Sequence, residues 1–235
     1  MSLKAVLFDL DGTLLPMDQN VFIKAYFGGL TRRLAPRGYA PEAVIDAIWR
    51  GTAAMVKNTG EKTNEEVFWD AFDSIFGERI REEIPVFDAY YAEDFPKVRK
   101  SCGYDARASR VIEAVRKKGL RVALATNPLF PAVATENRIA WAGLRPDDFE
   151  YFTTYENSRH CKPNLDYYRD ILEQMGLRPE ECLMVGNDVS EDMVTRNLGM
   201  QVFLLTDCLI NKNGEDLSQF PHGGYPELLE YIRSL

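Results

Sequence analysis

The chain has 235 residues, of which 46% are hydrophobic and 27% charged, and a formal net charge of −8. That length suits one large domain, or a core domain with a smaller companion. The acidic balance argues against a protein that holds nucleic acid by bulk electrostatics, although a bound cation can still recruit a small anion.

No apolar run approaches the length of a membrane span, and the opening residues lack the charged-then-apolar layout of a leader. Cys102, Cys161, Cys182 and Cys208 are far apart with no C-x-x-C pair, so a reduced, cytoplasmic compartment is expected. His160 and His222 are the only histidines, which disfavours a site needing several imidazoles.

The first element is a short apolar run, 5–8, followed by Asp9-Leu10-Asp11-Gly12-Thr13. An apolar run that ends where charge begins reads as a buried parallel strand with the carboxylates at its C-terminal tip, the edge where open α/β sheets bind ligands. From 18 to about 96 the periodicity is helical, with no convincing strand. Val21, Phe22, Ala25 and Tyr26 share one face, and Val44, Ala47 and Ile48 share another, with Pro41 near that helix's start. Thr63 and Glu66 have capping-box spacing ahead of a broad stripe, Val67, Phe68, Ala71, Phe72, Ile75 and Phe76, which Gly77 ends. Residues 78–95 read as one or two further helices, and their aromatics as core packing.

Beyond 102, strands and helices alternate. Helices are expected at 107–118, 131–141, 164–175, 190–198 and 226–232. Strands are expected at 121–126, 149–153, 182–185 and 201–205, with 216–225 as loop. The fold class is therefore α/β: a Rossmann-like parallel sheet with helices on both faces, plus an inserted all-helical module. The expected division is 1–15 with 100–235 as the α/β core, and 16–99 as the helical insertion.

Three strands end in polar residues at one sheet edge: Asp9 to Thr13, then Thr126-Asn127-Pro128, then Gly186-Asn187-Asp188 with Asp192 four residues on. Lys162-Pro163 lies between the last two. Taken singly, each reads as a turn, a helix N-cap or a solvated charge. Together, in this order, they point to a site. Two carboxylates at a strand tip can hold a divalent cation, or divide the roles of nucleophile and acid/base.

These four stretches resemble the motifs of the haloacid dehalogenase-like hydrolase superfamily. DLDGT looks like the first motif, Thr126 after VALA the second, Lys162 the third and GNDVSED the fourth. The helical block has the position of that family's cap. The loop before Lys162, YENSRHCKPN, follows the usual form loosely, and Asn164 stands where an acidic residue is common. The resemblance implies a Mg²⁺-dependent phosphatase acting on a small phosphorylated metabolite. Asp9 and Asp188 would bind the metal with the main-chain carbonyl of Asp11. Asp9 would be the nucleophile that becomes an aspartyl phosphate, and Asp11 the acid/base. Gly12, Thr126, Asn127 and Lys162 would receive the phosphoryl group. Asp192, rather than Glu191, would orient Lys162 or a metal-bound water. A sugar-phosphate mutase shares Asp9 and Asp11 and stays open as an alternative, as does a catalytically weak relative acting as a binding or regulatory protein. Dehalogenation is disfavoured, because the family's dehalogenases lack the aspartate found here at Asp11. Arg32, Arg33, Arg37, Arg50 and Lys57 are candidates to meet a second anionic group, against the plainer reading of a solvated helix face.

Overall fold

The computed structural model describes residues 2–235. Six parallel strands form one sheet: β1 (Ala5–Phe8), β2 (Arg121–Leu124), β3 (Tyr151–Phe152), β4 (Cys182–Gly186), β5 (Gln201–Leu205) and β6 (His222–Gly223), in the order β3-β2-β1-β4-β5-β6. The chain runs outward from β1 through β2 to β3, then returns to the other side of β1 with β4. The order thus reverses at β1, which leaves a crevice between the C-terminal ends of β1 and β4. Asp9 follows the first of these strands and Asp188 the second.

Alternate strand residues face opposite layers, as the period of two requires. Val6, Phe8, Leu124, Val185 and Phe203 pack under α5 (Arg107–Lys117), α6 (Ala132–Trp141) and α8 (Tyr225–Ser234). Leu7, Ala123, Met184 and Leu204 pack under α7 (Leu165–Met175) and a 3₁₀ segment, Met193–Leu198. Among the described residues, no helix is long and apolar enough to cross a membrane.

Between β1 and β2 lie α1 (Gln19–Leu34), α2 (Pro41–Val56), α3 (Asn64–Phe76) and α4 (Ile84–Ala89). Thr63 and Glu66 form the reciprocal cap at the start of α3. The stretch 78–101 is broken into short 3₁₀, α and π turns around α4 instead of one or two helices. Pro85 and Pro96 each sit in a first turn, where the missing N–H is tolerated, and neither can continue a preceding helix. The chain's exit and return are adjacent: Gly103 donates its amide to the Pro16 carbonyl at 2.7 Å, and Met17 pairs with Cys102.

The helical stretch and the sheet share one apolar core. Phe95 stacks on Trp141 of α6 with centroids 5.2 Å apart, and Tyr26 meets Phe130 edge-on at 5.2 Å. A further attachment lies at the head of α3. The Asn64 side chain, fully buried, donates towards the carbonyls of Pro128 and His160 at 3.3 Å and the Cys161 sulfur at 3.4 Å. The amides of Asn64 and Glu65 reach the carbonyls of Ser158 (2.8 Å) and Tyr155 (2.9 Å).

Three further expected elements differ. The segment 190–198 is a turn followed by 3₁₀ helix rather than an α-helix. The Asp188 carboxylate takes the amides of Ser190 (2.8 Å) and Glu191 (3.0 Å), and the Asp192 carboxylate takes the Asp188 amide at 3.0 Å, which tightens the chain there. The expected loop 216–225 contains a two-residue strand, β6, and its end already belongs to α8. The strand expected at 149–153 is confined to β3.

Candidate active site

The site is built where β1, β2 and β4 end. Asp9 extends the ladder by donating its amide to the Val185 carbonyl at 2.9 Å. A tight turn follows, with Gly12 at φ +93°. A β-carbon at Gly12 would also collide with the Asn187 side chain, so both conformation and space call for glycine here. The turn is held from the far side by the Tyr225 hydroxyl, which donates to the Thr13 carbonyl at 2.6 Å.

Asp9 is 7% exposed, with both carboxylate oxygens engaged. Lys162 Nζ donates to Oδ1 at 2.8 Å, and Thr13 Oγ1 lies 2.9 Å from Oδ2 and 3.1 Å from Asn187 Oδ1. Lys162 also donates to Asp192 Oδ1 at 2.6 Å. Burial alone would lower the Lys162 ammonium's pKa, but the carboxylates of Asp192 and Asp9 reverse this and hold it well above the ordinary lysine value. Burial pushes the Asp192 carboxyl upward, against the attraction of Lys162.

Asp11 is placed differently. It forms an ion pair with Arg138, whose side chain is only 1% exposed. Arg138 comes from α6, bonds Thr135 Oγ1 at 3.1 Å and lies over the Phe130 ring, 4.6 Å from its centroid. The second Asp11 oxygen, Oδ1, is buried without a hydrogen-bond partner. Burial raises the Asp11 carboxyl above its ordinary value, with Arg138 opposing.

A cavity of about 200 Å³ opens over these groups, lined by Asp9, Asp11, Thr126, Asn127, Asp188 and Asp192, with Phe22, Leu129 and Phe130 closing its apolar side. Gly12 and Lys162 do not line it. Lys162 stands behind Asp9 at 2% exposure, and Gly12 faces a neighbouring depression with Asp18 and Lys212. Asn127 donates to Glu191 Oε2 at 3.2 Å, while its own Oδ1 is buried without a partner. Glu191 therefore meets Asn127, and Asp192 meets Lys162.

The donor set suits one kind of cation. Among the described residues, no three Asp, Glu, His or Cys side chains converge as a closed metal cage requires. Asp9 and Asp188 line the same cavity, and Asp188 commits Oδ1 to two main-chain amides. Two carboxylates and a main-chain carbonyl, with water and substrate filling the rest, fit the habits of Mg²⁺.

The five basic residues considered for a second anionic group do not reach this cavity. Arg33 pairs with Glu93 and Asp94, Arg37 with Glu83 and Arg50 with Asp46. Arg32 lines a separate surface depression, and Lys57 is exposed at the end of α2. Sequence reading missed Arg138. Its signal was a cation four residues after Ala134, on the helix face that also carries Thr135, Ile139 and Trp141 inward.

Known proteins place the chain. Pyrophosphatase PpaX of Bacillus velezensis is 24% identical over 195 residues, covering 83% of this chain and 79% of that protein. The glyceraldehyde 3-phosphate phosphatase of Methanothermobacter thermautotrophicus is 26% identical, covering 92% and 94%. Among solved structures, the HAD-hydrolase YfnB of Bacillus subtilis, bound to magnesium, superposes over 99% of each chain with a TM-score of 0.55 at 15% identity. The family model for haloacid dehalogenase-like hydrolase matches residues 3–195, from just before β1 to beyond Asp192. On that match, the chain belongs to the haloacid dehalogenase-like hydrolase family.

Proposed function

We propose that this hydrolase is a Mg²⁺-dependent phosphatase that cleaves a small phosphate monoester through an aspartyl phosphate on Asp9. Residues 1–15 and 100–235 form its catalytic core, and 16–99 its cap. The observation that carries this reading is the unequal setting of two carboxylates on one cavity. Asp9 is fixed from behind by Lys162 and Thr13. Asp11 is held by Arg138 through one oxygen and keeps the other unclaimed by protein. One is set to attack, the other to exchange a proton. The names of two relatives, a pyrophosphatase covered to 79% of its length and a phosphatase covered to 94%, support phosphate ester or anhydride cleavage.

Asp9 and Asp188, with the main-chain carbonyl of Asp11, would hold the Mg²⁺, which when bound neutralises charge on the phosphoryl oxygens. An oxygen of Asp9 attacks phosphorus as the ester P–O bond breaks, and Asp11 gives its proton to the leaving alkoxide. Water then attacks the phosphorus of the aspartyl phosphate, Asp11 takes the water's proton, and Asp9 is released with inorganic phosphate. Thr126 and Asn127, which line the cavity, receive the phosphoryl oxygens, Gly12 shapes the turn that presents Asp9 and Asp11, and Lys162 stabilises the phosphoryl charge from behind Asp9. Asp192 orients Lys162.

The test is phosphate release from a panel of esters, with Mg²⁺ and with chelator, by the wild type and by Asp9→Asn. Release should require Mg²⁺ and fall by roughly 10³-fold or more in the variant. No release from any ester would sink the phosphatase reading, and release that survives Asp9→Asn would remove the nucleophile.

A further inference from the structure

Beside the Asp9 cavity lies a second chamber of about 100 Å³, enclosed by α1, α2, α3 and α4. The two adjoin at Ile23, Leu129 and Phe130, which line both. Nine of the fourteen residues lining the chamber are aromatic. Two of their polar tips, the hydroxyls of Tyr26 and Tyr91, bond each other at 2.9 Å. The chamber therefore presents mostly ring faces and edges to whatever enters. Apart from these rings, its polar lining is Thr52 and the exposed Asp88. Trp49, 48% exposed, stands among the lining residues edge-on to Phe27, with centroids 5.4 Å apart.

No lysine, arginine or histidine lines either cavity. A substrate carrying a second phosphate or a carboxylate would bring charge to a wall with no counter-ion, and a sugar would bring hydroxyls to ring faces with few partners. An apolar group fits the lining, and the chamber, at about 100 Å³ against the roughly 150 Å³ of an apolar cavity that takes up benzene, holds at most the greater part of one ring.

We propose that the alcohol half of the substrate is a compact apolar group, on the scale of one aromatic ring, seated in this chamber while its phosphate meets Asp9. The proposal rests on the phosphatase reading and names the substrate class for that site. It sets this chain apart from relatives named for pyrophosphate or glyceraldehyde 3-phosphate. Phe130 joins the two halves, because the same ring that walls the chamber lies against Arg138, the partner of Asp11.

The experiment compares kcat/KM for 2-phenylethyl phosphate and glycerol 1-phosphate with Mg²⁺. Both are esters of primary alcohols, so the comparison reads recognition more than leaving-group reactivity. The phenyl ester should be favoured by about tenfold or more. Thr52→Phe, which fills the chamber, and Trp49→Ala, which removes exposed lining, should each lower that ratio severalfold. Circular dichroism verifies folding, and the exposed Trp49 site keeps the test valid if Thr52→Phe fails to fold. In parallel, calorimetry measures binding of 3-phenylpropylphosphonate and methylphosphonate, which cannot be turned over at the P–C bond. The phenyl compound should bind about tenfold tighter or better. Equal kcat/KM for the two esters, with equal phosphonate affinities, would overturn the apolar chamber while leaving the phosphatase reading standing. No phosphate release from any ester, alongside tighter binding of the phenyl phosphonate, would remove the phosphatase reading and keep the chamber as an apolar ligand site. No release and no difference in binding would remove both.

Discussion

Replacing Arg138 by Met tests the charge pair that holds Asp11, whose guanidinium side is only 1% exposed. Met keeps much of the side-chain length and removes the guanidinium. Breaking a buried ion pair from one side costs about 3–5 kcal/mol, because a charge is left uncompensated. Asp11 keeps 23% of its side-chain surface, so the lower end, about 3 kcal/mol, applies to that loss. The stacking of the guanidinium on Phe130 at 4.6 Å adds about 1–2 kcal/mol in so dry a setting. Arg138→Met should therefore destabilise the protein by about 4–5 kcal/mol, read from urea unfolding followed by tryptophan fluorescence and circular dichroism. Asp11→Asn alone should cost less, since the amide oxygen still accepts from Arg138. The decisive measurement is the double variant. With both charges gone, no unpaired carboxylate remains, and the combined loss should fall short of the sum by about 2–3 kcal/mol. A single-variant loss under about 1 kcal/mol, or additivity within about 0.5 kcal/mol, would refute the assignment of Arg138 as the charge that settles Asp11.

Two further outcomes follow from close contacts. A β-carbon on Gly186 would run into the Asp192 carboxylate, so Gly186→Ala should displace the partner of Lys162, cost about 1–3 kcal/mol and cut phosphate release more than tenfold; activity within twofold of wild type would show that the Asp192 position is not needed. Glu181 is held down from 4.5 to about 2 by Arg178 and Lys4, so its contribution to stability is full above about pH 4.5 and disappears as pH falls towards 2. The melting-temperature gap between wild type and Glu181→Gln should accordingly narrow across that interval, and a gap that stays constant down to pH 2 would contradict the pairing.

Much of the fold could be read from patterns with a single physical meaning. Apolar runs at 5–8, 182–185 and 202–205 are satisfied in a sheet covered on both faces, and Gly119 and Gly199 end the elements before the next strand begins. The cap at Thr63 and Glu66 is local chemistry, so it shows in four residues. What escaped notice depends on distance along the chain. β6 has two residues and no period; it exists because β5 offers a free edge. The 3₁₀ form of Met193–Leu198 reflects Asp192 turning back to Lys162, thirty positions earlier. In the site, the acidic residues announced themselves by clustering at strand ends, whereas Arg138 is 127 positions from Asp11. The aromatic stripes of 67–76 and 87–95 read as core. They do pack, yet several of their rings also surround an open chamber, and periodicity does not separate a filled interior from a lined one.

The anchorage of Asn64 bears on how this molecule can move. The helical layer is joined to the sheet by two adjacent strands of chain, at Pro16–Met17 and Cys102–Gly103, which by themselves would make a simple hinge. Asn64 adds a third attachment, and it falls on the segment that leads directly into Lys162. A swing of the layer about the two strands would have to part Phe95 from Trp141 and Tyr26 from Phe130, and either release Asn64 or carry residues 158–161 with it. Opening of the cavity would then bear on the segment that carries the lysine behind Asp9.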